Sequence, residues 1–290
     1  MTADVQRISI LGCGWVGHAL GRHLVRAGYD VQGSTTTPDK QADLRQDGIE
    51  PFLLRLDPGL SGDAAAPFFE TDALVLNIPP PRGVDDPRTY HLRQIDAVRD
   101  AARNRVPWIL FVSSTGIYPD VERTVTEDEV PPGDLDALGG ERRRRTGDIL
   151  VEAEGHLWDR EDGATSIVRF GGLYGPDRHP ARFLAGRTGV SRPNAPVNLI
   201  HQEDCVGLLH RMLTQAAAGL VVNGVADAHP TRQALYTTAA EALGLTPPTF
   251  DADDTRSGKT ISNRVARDTL GYTFQHPDPM KDLEPVEGGL

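Results

Sequence analysis

Three glycines near the amino terminus have the spacing G-x-G-x-x-G and directly follow the apolar run Arg7–Leu11. Behind them, apolar residues recur at helical spacing. In this context the first glycine permits a tight turn, the second lets the backbone approach a pyrophosphate, and the third allows the helix to pack closely on the strand. The pattern therefore predicts a dinucleotide-binding turn. The cofactor-binding residues predicted there are Gly12, Gly14, Trp15, Val16 and Gly17.

The residues after the second expected strand distinguish two dinucleotides. NAD sites usually place an Asp or Glu there to bind the ribose 2′-hydroxyl. This chain instead has Ser34, Thr35 and Thr36, with Lys40 beyond them and Arg22 on the preceding helix. Hydroxyls and a cation suit a 2′-phosphate, which a carboxylate would repel. The sequence favours NADP(H), with NAD as the alternative.

Short apolar runs alternate with helical patterns over the first half of the chain, which predicts an α/β fold with a doubly wound parallel sheet. Strands are expected at Arg7–Leu11, Tyr29–Gly33, Pro51–Asp57, Ala73–Ile78, Trp108–Ser113, Ser166–Phe170, Val197–Ile200 and Leu220–Val225. Helices are expected from Val16 to Ala27 and at Asp39–Asp47, Arg88–Arg105, Asp148–Arg160, Glu203–Ala217, Gln233–Leu243 and Ser262–Leu270. We predict a dinucleotide-binding domain over residues 1–170, to which residues 197–225 return, and a smaller substrate-binding portion over residues 171–290.

Four segments together resemble a known superfamily. They are GCGWVG at the glycine turn, WILFVSSTGIYPD at Trp108–Asp120, RFGGLYGPDRHP at Arg169–Pro180 and NLIHQED at Asn198–Asp204. Their combination resembles the extended short-chain dehydrogenase/reductase superfamily, and most closely its atypical, YeeZ-like group of NAD(P)-dependent epimerase/dehydratase relatives. The resemblance covers nearly the full length. It implies a Rossmann-like doubly wound sheet with a small carboxy-terminal substrate domain.

In that superfamily a Ser after the fifth strand acts with a Tyr-x-x-x-Lys on the next helix. The lysine lowers the pKa of the tyrosine, which exchanges a proton with the substrate oxygen. Ser114 matches the serine, but the family register places Thr146 at the tyrosine position and Leu150 at the lysine position. The register retains only Gly147 and Glu154 of the family pattern.

The absence of a Tyr-x-x-x-Lys pair can also be established without aligning the chain to the family pattern. The three lysines of the chain are Lys40, Lys259 and Lys281, and the residues four positions before them are Thr36, Thr255 and Pro277. No Tyr-x-x-x-Lys therefore exists in this sequence. Arginine does not replace the lysine easily, because its guanidinium stays protonated.

Ser114 and Tyr118 are the expected catalytic residues. Ser114 would orient the substrate oxygen, and Tyr118 or a water molecule would move the proton. A phenol with a pKa near 10 needs a nearby cation for this task, and the run Arg142–Arg145 is a candidate that can alternatively bind an acidic substrate. Ser113 is expected to contact the cofactor and Thr115 the substrate.

Further binding residues are expected at the ends of other strands. Asn77, Ile78 and Pro79 lie at the carboxyl end of the fourth expected strand and are predicted cofactor contacts, and the resemblance adds the backbone of Leu173 at the nicotinamide carboxamide. The predicted substrate-binding residues are Thr115, Arg178, His179 and His201. The two basic residues of the GPDRHP loop suit an acidic or phosphorylated substrate. His201 is an alternative proton donor or a structural hydrogen-bonding residue.

Composition limits the remaining classes. The formal net charge of -11 argues against nucleic acid or an anionic membrane as the main partner. Cys13 and Cys205 are far apart, so neither a disulfide framework nor a paired metal-ligand motif is expected. The apolar runs are too short to span a bilayer, and the amino terminus does not resemble a signal peptide. A cytoplasmic protein without metal, haem or flavin is expected.

The leading functional hypothesis is an atypical NADP(H)-dependent reductase or dehydrogenase acting on a small carbonyl or hydroxyl compound. One alternative is an NAD(P)-dependent epimerase or dehydratase of a sugar-like substrate. Another is a non-catalytic NADP(H)-binding sensor or scaffold. A homodimer is expected by family analogy only.

Overall fold

The computed structural model describes residues 5–62, 65–139 and 146–284. The run Arg142–Arg145, a candidate cation in the sequence analysis, lies outside these residues.

Strands are β1 (Arg7–Leu11), β2 (Asp30–Thr35), β3 (Glu50–Asp57), β4 (Gly59–Gly62), β5 (Ala73–Leu76), β6 (Trp108–Ser114), β7 (Thr124–Val125), β8 (Ala164–Phe170), β9 (Gly172–Tyr174), β10 (Leu199–His201), β11 (Val221–Gly224) and β12 (Thr260–Ile261). Helices are α1 (Trp15–Arg26), α2 (Lys40–Gln46), α3 (Ala65–Phe68), α4 (Pro87–Ala102), α5 (Thr146–Trp158), α6 (Ala181–Leu184), α7 (Gln202–Thr214) and α8 (Arg232–Ala242).

The central sheet has the strand order β11-β8-β6-β5-β1-β2-β3-β4. Strand β1 pairs in parallel with both β2 and β5, so the order reverses direction on either side of β1. Ligands of open α/β sheets bind at such a switch point, beyond the carboxyl ends of the strands. The predicted Rossmann-like doubly wound sheet is confirmed.

The burial of the inner strands explains why their positions could be predicted from the sequence. All four residues of β5 are buried, as expected for a strand covered by helices on both faces. Helix α1 buries Val16, Leu20 and Leu24 along one face against the sheet. No helix within the described residues is long and apolar enough to cross a membrane.

Contacts between Cα atoms divide the chain into two compact units. Unit 1 comprises Met1–Tyr118, Asp128–Arg169 and Val206–Val222, and unit 2 comprises Pro119–Glu127, Phe170–Cys205 and Asn223–Leu290.

Unit 2 contains two short parallel strand pairs, β9 with β10 and β7 with β12. Its hydrophobic core includes Tyr174, Leu199 and Leu235. The helix predicted at Ser262–Leu270 is in the structure a single π-helical turn at Val265–Thr269. One buried residue, Ala266, anchors this turn, which is too little apolar surface for a longer helix.

Candidate functional site

The glycine turn after β1 has a geometry that side chains cannot enter. Gly12 has a φ of 107°, and a Cβ atom added to it would overlap the carbonyl oxygen of Asn77. A Cβ atom on Gly17 would overlap the carbonyl oxygen of Gly12. Both positions therefore require glycine, which is how α1 starts so close to the end of β1.

The amino terminus of α1 is open. Gly14 precedes the helix without a side-chain cap, and the first turn holds no acidic residue. A Cβ atom added to Gly14 would meet no atom within 4 Å. Uncapped N–H groups beside open space fit the pyrophosphate of a dinucleotide. Trp15 is half-buried and Val16 is buried at the start of the helix.

Asn77 supports the same turn from β5. Its Nδ2 donates a hydrogen bond of 3.1 Å to the Gly12 carbonyl oxygen. Ile78 lies within van der Waals distance of the Cβ position of Gly12, and Pro79 is exposed. The structure therefore brings the predicted residues after β5 next to the glycine turn, as the switch point requires.

Ser34 and Thr35, predicted to bind the ribose end of the cofactor, have internal partners. Ser34 Oγ accepts a 2.9 Å hydrogen bond from the Gly12 N–H, and the Ser34 carbonyl accepts one of 3.0 Å from Cys13. Thr35 Oγ1 accepts a 3.1 Å bond from the Thr37 N–H. These contacts shape the loop, and of the four predicted residues Thr36 and Lys40 are exposed.

The cations around this loop differ from those expected. Arg22 is directed to Asp47, with its Nε 3.4 Å from the carboxylate. The exposed Arg55 of β3 instead reaches the loop, and its Nη2 donates to the Thr36 carbonyl at 3.4 Å. Sequence reasoning missed Arg55, because the pairing of β2 with β3 cannot be read from local patterns.

Ser114 ends β6 and is half-buried. Its Oγ accepts a 3.1 Å hydrogen bond from the Gly116 N–H in the 3₁₀ turn Thr115–Ile117. The hydroxyl hydrogen of Ser114 is therefore still available to a substrate oxygen. Thr115, a predicted substrate contact, is buried in that turn.

Ser113 and Tyr118 belong to a buried network in unit 1. Ser113 Oγ donates to Glu154 Oε1 at 2.6 Å, and Arg169 Nη2 lies 2.6 Å from Glu154 Oε2. Arg169 Nη1 donates to the Tyr118 hydroxyl at 2.9 Å, and Arg169 Nη2 also donates to the Val130 carbonyl at 2.7 Å. Glu154 and Arg169 are both 0% exposed. Burial lowers the pKa of Arg169, but hydrogen bonding and attraction to Glu154 outweigh it and leave that pKa raised.

This network changes the expected role of Tyr118. The cation beside its hydroxyl is Arg169, and the tyrosine is only 3% exposed. Its placement is that of a structural residue and not of an accessible proton donor. Ser113 is likewise bonded to Glu154 and has no free hydroxyl hydrogen for a cofactor. Of this network the family pattern had indicated only Glu154.

Helix α5 begins next to Ser114. A Cβ atom on Gly147 would lie 2.8 Å from the Gly116 carbonyl oxygen, so the start of α5 packs on the 3₁₀ turn. Thr146 is exposed and Leu150 is buried. At the positions that the family register assigns to tyrosine and lysine, this helix therefore offers one hydroxyl and no cation.

Unit 2 contains its own cluster of titratable groups around His201. Leu173 and Tyr174 of β9 pair with Ile200 and His201 of β10. The ring of His201 stacks on that of His276, with centroids 3.6 Å apart and an interplanar angle of 34°. His201 is buried, and its Nδ1 accepts a 3.2 Å bond from the Glu203 N–H.

His276 is held between two carboxylates. Its Nδ1 lies 3.0 Å from Asp282 and its Nε2 3.1 Å from Glu203. Burial lowers the pKa of His276, but the hydrogen bonds to Asp282 and Glu203 outweigh this effect and raise it. The pKa of His201 is lowered by burial and by the neighbouring His276.

Among the described residues, His201, Glu203 and His276 offer potential metal ligands within 4.8 Å of one another. The geometry argues against a shared ion, because imidazole lone pairs lie in the ring plane and two stacked rings do not aim them at one point. Both ring nitrogens of His276 are also engaged by carboxylates. The cluster is best described as two imidazole rings in contact, of which His276 is held between two carboxylates.

Raising the pH should destabilise the segment that carries His276. A histidine whose folded pKa is raised stabilises the fold below its unfolded pKa near 6.5, and this contribution is lost as pH rises through the folded pKa. The midpoint temperature of thermal unfolding should therefore fall more steeply between pH 6 and pH 9 for the native chain than for His276→Gln. Equal slopes for the two proteins would show that His276 is not held protonated.

The GPDRHP loop has mixed surroundings. Arg178 is exposed, whereas both ring nitrogens of His179 are engaged, Nε2 with the Leu283 carbonyl at 3.0 Å and Nδ1 with the Ala181 N–H at 3.2 Å. His179 therefore ties this loop to the segment near Leu283.

The sheet order and the glycine turn define a Rossmann-like α/β protein. Three solved structures share the fold. A conserved protein of unknown function from Silicibacter pomeroyi is 23% identical with a TM-score of 0.74, covering 96% of this chain and 97% of that one. MoeE5 in complex with UDP-glucose and NAD is 18% identical with a TM-score of 0.71, covering 96% of each chain. The human epimerase family protein SDR39U1 with NADPH is 18% identical with a TM-score of 0.65, covering 98% and 100%.

Sequence similarity narrows this class further. The chain is 35% identical to protein YeeZ of Escherichia coli K12 over 286 residues, which cover 98% of this chain and 100% of YeeZ. No protein-family model matches the chain. The chain belongs to the YeeZ family.

Proposed function

We propose that this chain is an NADP(H)-dependent oxidoreductase that acts on a small carbonyl or hydroxyl compound. Its main support is the uncapped amino terminus of α1 at Gly14, behind a turn that only glycine can form. The preference for NADP(H) is supported by the loop after β2, where Ser34, Thr35 and Thr36 stand in place of a ribose-binding carboxylate.

The residues of this chain would orient the substrate. A bound NADP(H) would supply hydride chemistry at a carbonyl-type carbon of the substrate. Ser114 donates its hydroxyl hydrogen to the substrate oxygen, since its Oγ already accepts from Gly116 and is held in place. Water completes the proton transfer, because the Tyr118 hydroxyl is buried against Arg169.

A non-catalytic NADP(H)-binding sensor is the second candidate. It is favoured by the burial of Tyr118 and by the buried Leu150, which together leave no phenol and ammonium pair beside Ser114. Such a protein would bind the cofactor and change conformation without consuming it. Substrate-dependent turnover separates the two candidates.

Replacing Ser114 by alanine should lower kcat/KM for substrate-dependent NADPH oxidation by about 100- to 1000-fold, the usual effect of removing one donor to a developing oxyanion. The dissociation constant for NADPH should change little, because Ser114 contacts the substrate oxygen. Activity is measured against a panel of small aldehydes, ketones and hydroxy acids, and NADPH affinity by fluorescence titration.

Ser191→Ala is the matched control, since Ser191 is exposed in unit 2 and its hydroxyl has no assigned role. It should behave as the native protein. Equal turnover by Ser114→Ala and the native protein would overturn the role of Ser114. Tight NADPH binding without turnover of any substrate would favour the sensor, and substrate conversion without net NADPH consumption would indicate an epimerase or dehydratase.

A further inference from the structure

Arg55 lies beside the loop that follows β2. Strand β3 pairs in parallel with β2, with Leu53 opposite Thr35, and two residues further along β3 the guanidinium of Arg55 reaches the Thr36 carbonyl at 3.4 Å. The side chain is exposed. In the part of the chain that the structure describes, Arg55 forms no ion pair with a carboxylate.

This loop is coupled directly to the glycine turn. Ser34 bonds both Gly12 and Cys13, so the residues that follow it are held at the switch-point edge of the sheet. In Rossmann-type sites the residue at the end of the second strand reads the ribose 2′ position. Strand β2 ends at Thr35, and Thr36 follows it directly with the guanidinium of Arg55 next to its carbonyl oxygen.

The other charged groups near the loop are less well placed. Arg22 is directed to Asp47. Lys40 opens α2 as an exposed point charge directly after the exposed Asp39. A planar guanidinium binds phosphate through two parallel hydrogen bonds, which an ammonium cannot do.

We propose that Arg55 binds the 2′-phosphate of NADP(H) and is the residue through which this chain prefers NADP(H) over NAD(H). This inference rests on the proposed function. Arg55 approaches the phosphate from β3, whereas Thr36 contributes its hydroxyl from the loop after β2. The weak contact of Arg55 to the Thr36 carbonyl is exchanged for the phosphate oxygens on binding.

The test is a binding titration of the full chain with four probes, NADPH, NADH, 2′,5′-ADP and 5′-ADP. Arg55→Gln should weaken NADPH and 2′,5′-ADP by about 10- to 100-fold, the range expected for losing hydrogen bonds to a charged group. NADH and 5′-ADP, which lack the 2′-phosphate, should bind within about twofold of the native affinity. Arg55→Lys should restore only part of the loss, because the fork geometry is absent.

Arg45→Gln is the matched control. Arg45 is an exposed arginine of α2 that bonds Gln41, so its replacement removes the same charge without touching the loop after β2. It should leave the affinities for all four probes unchanged. Circular dichroism of each variant verifies that the fold is retained.

Each other outcome overturns the inference in a recognisable way. Equal weakening of NADPH and NADH by Arg55→Gln would mean that Arg55 supports the site generally. A loss of NADPH preference in Lys40→Gln but not in Arg55→Gln would assign the phosphate to Lys40. Native protein that binds NADH as tightly as NADPH would remove the preference itself, and failure to bind either dinucleotide would overturn the proposed function as well.

Discussion

Glu154→Gln should lower the free energy of unfolding by about 3–5 kcal/mol, the cost of removing one partner from a buried ion pair. Glutamine has nearly the same shape but leaves the Arg169 guanidinium charged and uncompensated where both side chains are 0% exposed. The Ser113 hydroxyl also loses its charged acceptor. Urea unfolding monitored by circular dichroism measures the change.

The same helix provides the control. Glu152, two residues earlier on α5, pairs with Arg88, whose side chain is 54% exposed. Glu152→Gln should cost at most about 1 kcal/mol, since solvent screens such pairs. If Glu154→Gln lowered the free energy of unfolding by less than about 1 kcal/mol, Glu154 would not be the group that compensates the buried charge of Arg169. The double variant Glu154→Leu/Arg169→Met should lose less than the sum of its single variants.

Gly14→Ala should separate folding from cofactor binding. The added methyl group meets no protein atom within 4 Å, so the free energy of unfolding should change by less than about 1 kcal/mol. The same methyl group would occupy the space in which the backbone must approach a pyrophosphate. Overpacking against the bound cofactor costs about 1–3 kcal/mol, so the affinity for NADPH should become about 10- to 100-fold weaker. Thermal unfolding and fluorescence titration give the two readouts.

Substitutions at two other glycines serve as controls for this prediction. Gly59→Ala adds a methyl group to open space on β4, away from the glycine turn, and should change neither stability nor NADPH affinity. Gly17→Ala should destabilise the protein itself, because its methyl group would overlap the Gly12 carbonyl oxygen. Unchanged NADPH affinity in Gly14→Ala would place the pyrophosphate elsewhere.

Local sequence patterns were sufficient for the inner part of the sheet. Strand β1 was predicted at its observed bounds, because an apolar run ends abruptly at a glycine that only a tight turn can explain. Strand β5 was predicted two residues too long, since the apolar Ile78 lies just beyond Asn77, but both residues lie next to Gly12 after the strand has ended. Buried strands and amphipathic helices have periodicities that the sequence displays directly.

Short strands at the periphery were not predictable. Strand β4 has the sequence GLSG, is largely exposed and exists as the antiparallel partner of β3. Strands β7 and β12 have two residues each and pair across a long separation in the chain. Such strands have no periodicity of their own, because their backbone hydrogen bonds depend on a partner brought by the rest of the fold.

The roles of the side chains at the candidate site were likewise only partly predictable from the sequence. The sequence identified Ser113, Ser114 and Tyr118 as one polar group around the end of β6, but Ser114 is half-buried in the structure, whereas Ser113 and Tyr118 are buried. The latter two are drawn into the network of Glu154 and Arg169. Burial decides this, because an isolated guanidinium inside the protein must recruit every nearby acceptor.

The sequence by itself determined the fold class, the tight glycine turn after β1 and the lack of a Tyr-x-x-x-Lys pair. These features depend on residue type and close spacing along the chain. Only the tertiary structure decided that Arg169 is the cation beside Tyr118 and that Arg55 lies beside Thr36, 19 residues away in sequence. The physical reason is strand order: long-range packing places β3 next to β2 and β8 next to β6, and no local periodicity encodes those neighbours.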